Sequence, residues 1–377
     1  MSVVSDTLLC RFVRLHSSMV IKNLSANGYR NLSIKKQELS PTVNIIYGNN
    51  AQGKTNFLEA IYFCAFGRSL RARNDAELIN REKSAASICI ETERATMSST
   101  IEANLQQGKK TIKSINIDFL PMRHMKDLFG KLLVVMFSPE DLRLIKAGPS
   151  ERRRFMDMEI CQLSPVYYND LREYHRALKQ RNALLKSLQK NKSARDSLSI
   201  WDEQLVNYGQ RIINTRMAFI KKINKTANKI HKKITQDTEN LRMEYKPSVT
   251  TENFARILEK SHERDIMRGT TSDGIHTDDI EFSINGISAR HFGSQGQQRT
   301  AALSAKLAEI EIIKQSKNET PILLLDDVLS ELDKHRQKYL LENINDLQTI
   351  VTCTGIEEYN FKNYKLLHME KGVIKNV

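Results

Sequence analysis

Residues 48–55 read Gly48-Asn49-Asn50-Ala51-Gln52-Gly53-Lys54-Thr55 and satisfy G-x-x-x-x-G-K-[ST] at every fixed position. Each residue type in that run has a use in holding a polyphosphate. Glycines let backbone N–H groups turn inward and ring an anion without Cβ clashes. Lys54 can reach β- and γ-phosphates, and the Thr55 hydroxyl can ligate Mg²⁺. A second candidate is Pro321-Ile322-Leu323-Leu324-Leu325-Asp326-Asp327. Four apolar residues before an acid describe a buried parallel strand whose carboxyl edge presents a carboxylate. Asp326 would hold Mg²⁺, directly or through water, and Asp327 would orient or deprotonate an attacking water. A third is Phe292-Gly293-Ser294-Gln295-Gly296-Gln297-Gln298-Arg299, which puts Ser294, Gly296 and Gln297 in an S-x-G-Q pattern at a helix start. Unpaired N–H groups at such a start favour an anion.

These residues need elements to position them. Val43–Tyr47 reads as a buried strand, and Asn56 to Cys64 as a helix with Phe57, Leu58, Ile61 and Tyr62 at helical spacing. A phosphate loop requires that strand–loop–helix frame. Short apolar runs at Val20–Leu24, Ile34–Leu39, Ser87–Glu91, Ser99–Ala103, Ile112–Ile117 and Leu132–Phe137 predict further strands, with a hairpin turn at Gln106–Lys110. Ser138-Pro139-Glu140-Asp141 opens a helix, with Ser as N-cap and Pro at the first position. From about Ser150 the pattern changes to long helices. Tyr167, Leu171, Tyr174, Leu178, Arg181, Leu185 and Leu188 form one seam; Trp201, Leu205, Tyr208, Ile212, Thr215, Phe219 and Ile223 form another. They could pair as an antiparallel coiled-coil hairpin or fold as a compact lobe. Ile280–Ile284, Ile322–Leu325, Thr349–Thr354 and Lys365–Met369 are strand candidates, Asn285-Gly286 a turn, and residues 300–317 a helix. The division expected is a lobe of 19–140 with 285–377, interrupted by a mostly helical, basic insertion at 141–284. Residues 1–18 stand apart as a disordered extension or a start-codon artefact, because Met19 opens the first well-patterned strand.

The chain has 377 residues, with 58 Lys and Arg against 44 Asp and Glu, a formal charge of +14. Residues 141–240 hold 21 of the basic residues and 11 of the acidic ones. That excess points to a polyanion, and to nucleic acid rather than a membrane surface, since no basic amphipathic helix with a Trp/Phe face stands out. Cys10, Cys64, Cys89, Cys161 and Cys353 are scattered without a C-x-x-C pair. They predict a reducing, cytoplasmic setting with neither a disulfide framework nor a zinc site. The longest apolar run, Leu132–Phe137, is far below the roughly 20 residues a bilayer span needs.

The order of motifs is phosphate loop, long insertion, S-x-G-Q, Asp-Asp and Ser330-Glu331-Leu332-Asp333. This order resembles the ABC-type ATPase heads of the SMC kind. Within that class the chain is similar to the RecF family of bacterial recombination mediators. The matching stretches are Asn27–Asn31, Gly48–Thr55, Phe137–Leu142, Gly148–Phe155, Ser294–Arg299 and Leu325–Asp333. The resemblance covers about residues 19–377. It implies an α/β fold, a P-loop ATPase head with a mixed sheet and an inserted helical lobe, with ATP and Mg²⁺ as cofactors. It implies catalytic roles for Lys54, Asp326 and Asp327, and nucleotide contact by Ser294, Gly296 and Gln297 of a second copy, so that ATP joins a head-to-tail homodimer. It further implies double-stranded or gapped DNA and single-strand/double-strand junctions as partners, loading of the recombinase RecA with RecO and RecR, and a part in replication restart and SOS induction. It implies a slow, DNA-stimulated ATPase, and two departures from the ABC pattern suit slow, switch-like hydrolysis. Asp327 stands where that class usually has Glu, and no histidine ends the strand Thr349–Thr354.

Other residues carry open readings. Glu140 could sit near the metal or simply stabilise a helix start. Arg30 and Asn31 could border the nucleotide or be solvated loop residues. Arg68, Arg71 and Arg73 could touch DNA phosphates; Arg152–Arg154 and Lys221–Lys233 are better placed to do so by their basic surroundings. The competing functions are an ABC subunit of a membrane transporter, which the basic insertion disfavours, and a small-molecule kinase, which has no use for S-x-G-Q.

Overall fold

The computed structural model describes residues 19–94, 97–355, 361 and 363–375. The expectation for residues 1–18 lies outside them. The chain divides into two compact units. One comprises the described residues up to Asp141 together with those from Glu309 on; the other is Leu142–Ala308.

The first unit has two sheets. The parallel one has the order β15-β14-β3-β13-β12-β8, built from β3 (Val43–Tyr47), β8 (Val134–Phe137), β12 (Ile322–Asp326), β13 (Thr349–Cys353) and β14 (Tyr364–Glu370), with β15 (Val373–Lys375) antiparallel at one edge. The antiparallel one has the order β2-β1-β4-β5-β6-β7, from β1 (Met19–Asn27), β2 (Ser33–Glu38), β4 (Ala85–Arg94), β5 (Met97–Gln106), β6 (Ile112–Ile117) and β7 (Leu120–Pro121). Helix α1 (Lys54–Phe66) touches strands of both sheets. Its sequence is apolar on every face, as a helix between two layers must be, and almost all of its residues are buried. Gln348 stitches the layers: its side chain accepts from Ile21 N at 2.7 Å and donates to the carbonyls of Ile21 and Ser40 at 2.8 Å.

The second unit contains α2 (Pro149–Leu163), α3 (Pro165–Leu188), α4 (Leu198–Ile234) and α5 (Phe254–Arg268), with strands β9 (Leu241–Lys246), β10 (Asp279–Ile284) and β11 (Ile287–Ser288). Helix α4 has 37 residues, about 55 Å at 1.5 Å per residue. It runs antiparallel to α3, as the pairs Arg181–Asp202, Asp170–Arg211 and Tyr167–Arg216 require. Both expected seams are present, yet the insertion is a compact lobe, not a free coiled coil. Helix α5 covers the hairpin's turn end, where Leu185, Leu188, Leu198 and Ile266 cluster, and the small antiparallel sheet packs along α4.

Two results differ from the sequence reading. The segment opened by Ser138 forms a 3₁₀ turn, Pro139–Leu142, and only a four-residue helix follows, Arg143–Lys146. The return to the first unit falls at 308/309, inside helix α6 (Gln295–Lys317), instead of at 284/285. The first turns of α6 are bonded to the second unit: Gln297 donates to Glu239, and Ser304 meets His231. The lobe also holds two long cations with no access to water. Arg216, 1% exposed, is bonded to Asp157, Asp278 and the Ile275 carbonyl; Arg181, fully buried, is bonded to Asp202, Asp265 and Thr271. Removing one member of a buried set leaves the others unpaired in low dielectric. Arg216→Met is therefore expected to lower the unfolding free energy by roughly 3–5 kcal/mol in urea titration, an effect that a surface arginine would not produce.

Candidate nucleotide-binding site

Three neighbouring parallel strands end at one edge and bring the site together. Strand β13 lies between β3 and β12, with Cys353 opposite Tyr47 and Thr352 opposite Asp326. The carboxyl ends of such strands are where α/β sheets bind ligands. After Tyr47 the chain turns through the loop 48–53 into α1. Gly48 has φ +149°, and a Cβ there would lie 2.4 Å from the Met369 carbonyl oxygen. Gly53 has φ +110°, with Asn31 Oδ1 at 2.8 Å from the Cβ position. Neither position admits a side chain. The turn Lys371–Gly372 holds the loop from outside: Lys371 N donates to Gln52 Oε1 at 2.7 Å, and Gly372 N to the Gln52 carbonyl at 2.8 Å.

Inside this edge lies a cavity of about 250 Å³, lined by Asn50, Ala51, Gly53, Lys54, Thr55, Asn56, Arg71, Asp326, Asp327 and Thr352. Lys54 Nζ donates to the carbonyls of Gly48 and Asn49, at 2.5 and 2.8 Å. Burial lowers its pKa, against the opposing pull of Asp327 and Asp326. Thr55 and Thr352 both donate their hydroxyls to Asp326 Oδ1 at 2.8 Å. Burial raises the Asp326 pKa, and those two hydrogen bonds hold it back. Asp327 has φ +54°; its N–H donates to Thr352 Oγ1 at 3.1 Å, and its carbonyl accepts from Ser330 Oγ at 2.8 Å.

In the second unit, Ser294 and Gln297 form a reciprocal capping box at the start of α6. Ser294 N donates to Gln297 Oε1 at 2.9 Å, and Gln297 N donates to Ser294 Oγ at 3.2 Å. The serine oxygen thus accepts from its own helix, and its proton remains available to an external acceptor.

The family description RecF/RecN/SMC N terminal domain matches residues 20–375. The "DNA replication and repair protein RecF" of Lachnoclostridium phytofermentans is 48% identical, over 90% of this chain and 94% of that protein. The protein of the same description from Acetivibrio thermocellus is 43% identical, over 92% and 96%. The chain belongs to the RecF family. A solved structure described as the recombination mediator protein RecF with ATP, of the RecFOR pathway, superposes with a TM-score of 0.90 at 34% identity, covering 96% of this chain and 98% of that one. An SMC head domain from Pyrococcus furiosus matches at a TM-score of 0.55 and 18% identity, covering 96% of each chain, which shows the shared fold alone. The fold is accordingly the expected ABC-type ATPase head with a helical insertion, and the transporter and kinase readings drop out.

For this RecF-family chain, the cavity brings together Lys54, Thr55, Asp326 and Asp327, while Gly48, Asn49 and Gln52 shape the loop without lining it. Ser294, Gly296 and Gln297 belong to the second unit. Glu140 is exposed on its 3₁₀ turn and does not line the cavity. The Arg152–Arg154 run is not an open basic patch, because Arg152 is buried and forked onto Asp279 at 2.6 and 2.9 Å, and Arg153 donates to the Asp278 carbonyl. Two residues escaped the sequence reading. Thr352 is a polar residue in an apolar strand, which was the available signal. Glu59 is a carboxylate inside an apolar helix, and is 1% exposed.

Glu59 explains the arginines. It accepts from Arg30 at 3.0 and 3.3 Å, from Arg71 at 2.9 Å and from Ser69 at 2.5 Å. Arg71 also donates to Asn56 at 2.8 Å, and Asn56 to Asn31. Burial pushes the Glu59 pKa up, but the bonds from Arg30, Arg71 and Ser69 outweigh it and the net shift is down. A carboxylate depressed in the folded state stabilises above its unfolded pKa and loses that contribution as pH falls through the folded one. Wild-type stability is therefore expected to decline as pH drops below the ordinary glutamate value of 4.5. Glu59→Gln is expected to be less stable by roughly 3 kcal/mol at pH 7 and to show less of this acid dependence, as checked by thermal unfolding across pH 3–7.

Proposed function

We propose that this chain is an ATP-controlled DNA-binding protein of recombinational repair and replication restart. The observation that carries the reading is the cavity joining Lys54, Thr55, Arg71, Asp326 and Asp327 at the carboxyl ends of β3, β12 and β13. Lys54 would exchange its loop carbonyls for β- and γ-phosphate oxygens, and Arg71 adds a second cation to the same wall. Thr55 and Asp326, hard oxygen donors held 2.8 Å apart, fit Mg²⁺ and would hold it, supplying charge neutralisation on the phosphates. Asp327 would orient a water for a slow, DNA-stimulated hydrolysis.

Ser294, with Gly296 and Gln297, would close the site from a second copy, so that ATP holds a homodimer together. The DNA partner would meet α4. Lys221, Lys225, Lys229 and Lys233 recur every four residues, all exposed, and none forms an ion pair with a described residue. Such a row tracks phosphates and reads no sequence. The RecFOR description of the solved relative supports RecO and RecR as partners in loading recombinase on gapped or double-stranded DNA, with SOS induction following from that role.

Sedimentation with and without ATP tests the dimer. Wild type is expected to shift to a dimer. Ser294→Arg should bind ATP but stay monomeric, and Lys54→Arg should lose ATP-dependent DNA binding. A wild type that sediments identically in both conditions would overturn the reading. Changing the four α4 lysines to Gln is expected to weaken duplex DNA binding at every sequence and to flatten log K against log salt by about 0.9 for each phosphate no longer neutralised. An unchanged slope would remove α4 from the DNA surface.

A further inference from the structure

We infer that Glu239 is a positioning residue for Ser294, acting through the side-chain amide of Gln297 and anchored to α4 through His231. The inference rests on the trans contact of Ser294 proposed above. Backbone N–H groups only donate, so the bond from Ser294 N fixes Gln297 Oε1 towards Ser294. Gln297 Nε2 must then face an acceptor, and it donates to Glu239 Oε1 at 2.9 Å. The other carboxylate oxygen, Oε2, meets His231 Nε2 at 3.0 Å. His231 is fully buried near the end of α4, and its Nδ1 lies 3.2 Å from Ser304 Oγ on α6. A carboxylate only accepts, so His231 carries its proton on Nε2. Position 239 therefore faces two donors, and a carboxylate can satisfy both.

The consequence is a directed chain of bonds. Glu239 holds the Gln297 amide in the one orientation that caps Ser294 N, and that cap sets the turn on which the Ser294 hydroxyl is presented. Its other end is fixed to the helix that bears the lysine row. An amide at 239 would accept at one atom and donate at the other. Its NH₂ would oppose Gln297 or His231, and flipping Gln297 to relieve this would turn a donor onto Ser294 N and break the capping box.

Two measurements on the full chain test this. In nucleotide-free protein, Glu239→Gln should speed hydrogen exchange at the amides of residues 294–298 by roughly fivefold to tenfold, the scale of a lost helix cap. Exchange in the phosphate-loop segment and ATP affinity should not change. The double variant Glu239→Gln/Gln297→Glu should restore slow exchange. The carboxylate it places at position 297 would accept from Ser294 N and from the amide at position 239, whose oxygen would accept from His231. In the second measurement, ATP-dependent dimerisation of Glu239→Gln should be weaker than wild type by a similar factor. Unchanged exchange in Glu239→Gln, or no rescue by the exchanged pair, overturns the positioning role whatever the dimer does. Normal dimerisation despite faster exchange overturns its importance for closure. A wild type that never dimerises removes the trans contact, while the exchange result still decides whether Glu239 orders the Ser294 turn. Glu239 is only partly buried, and Glu239→Asp, one methylene short of bridging both donors, provides a second variant with an expected intermediate exchange rate.

Discussion

The register of β3, β13 and β12 is the constraint on which the candidate site depends. A parallel sheet aligns strand ends, so Tyr47, Thr352 and Asp326 arrive at the same edge. Thr352, in the middle strand, then joins its neighbours: its hydroxyl reaches Asp326 and accepts from Asp327 N. Thr55, at the start of α1, completes the set through the same carboxylate oxygen. A one-residue slip of β13 would turn Thr352 to the opposite face and leave a buried aspartate with one hydroxyl fewer. Sheet pairing and site geometry are thus the same fact seen at two scales.

Burying the loop and its helix between two sheets has an electrostatic consequence. A helix apolar on every face cannot carry a charged side chain unless that charge is compensated. Besides Lys54, which opens α1 and is held by loop carbonyls, the charged residue of α1 is Glu59. It collects Arg30 from the turn after β1, Arg71 from the segment after α1, and the Ser69 hydroxyl. Arg71 is thereby fixed in the cavity wall while its side chain stays partly exposed. The second unit repeats this solution on a larger scale, with Arg181 and Arg216 inside the α3–α4 seam, each held by two carboxylates. Arginine suits such places because its planar fork engages several acceptors from one position.

Much of this was legible in the sequence, and the failures share a cause. Strand β3, the phosphate loop and β12 stood out because run length, glycine placement and a terminal acid each have one local explanation. The seams of α3 and α4 were equally clear, even with Arg181 in the line. The missing knowledge concerned partners. Arg152 reads as an open basic residue until Asp279, 127 positions away, is seen to hold it. Strand β9 does carry the period-2 signal of a half-buried strand, Leu241, Met243 and Tyr245 alternating with Arg242, Glu244 and Lys246; its register against β10 is what the sequence does not show. Glu59 looked like an ordinary helix residue for the same reason. Periodicity reports which face is buried, but not which distant charge will meet it.

Asp327 illustrates how backbone and chemistry constrain each other at one position. Its φ of +54° lies in the left-handed region, where aspartate and asparagine occur several-fold more often than most other side chains, because a short polar group can bond locally there. The local bonds are present: Ser330 Oγ donates to the Asp327 carbonyl and lies 3.3 Å from its Oδ1. The shorter acid is therefore consistent with the turn that leads from β12 into the Ser330–Asp333 segment, and it needs no functional explanation by itself. A side chain tied to its own turn has less freedom to reach towards a water than a longer acid on an extended backbone.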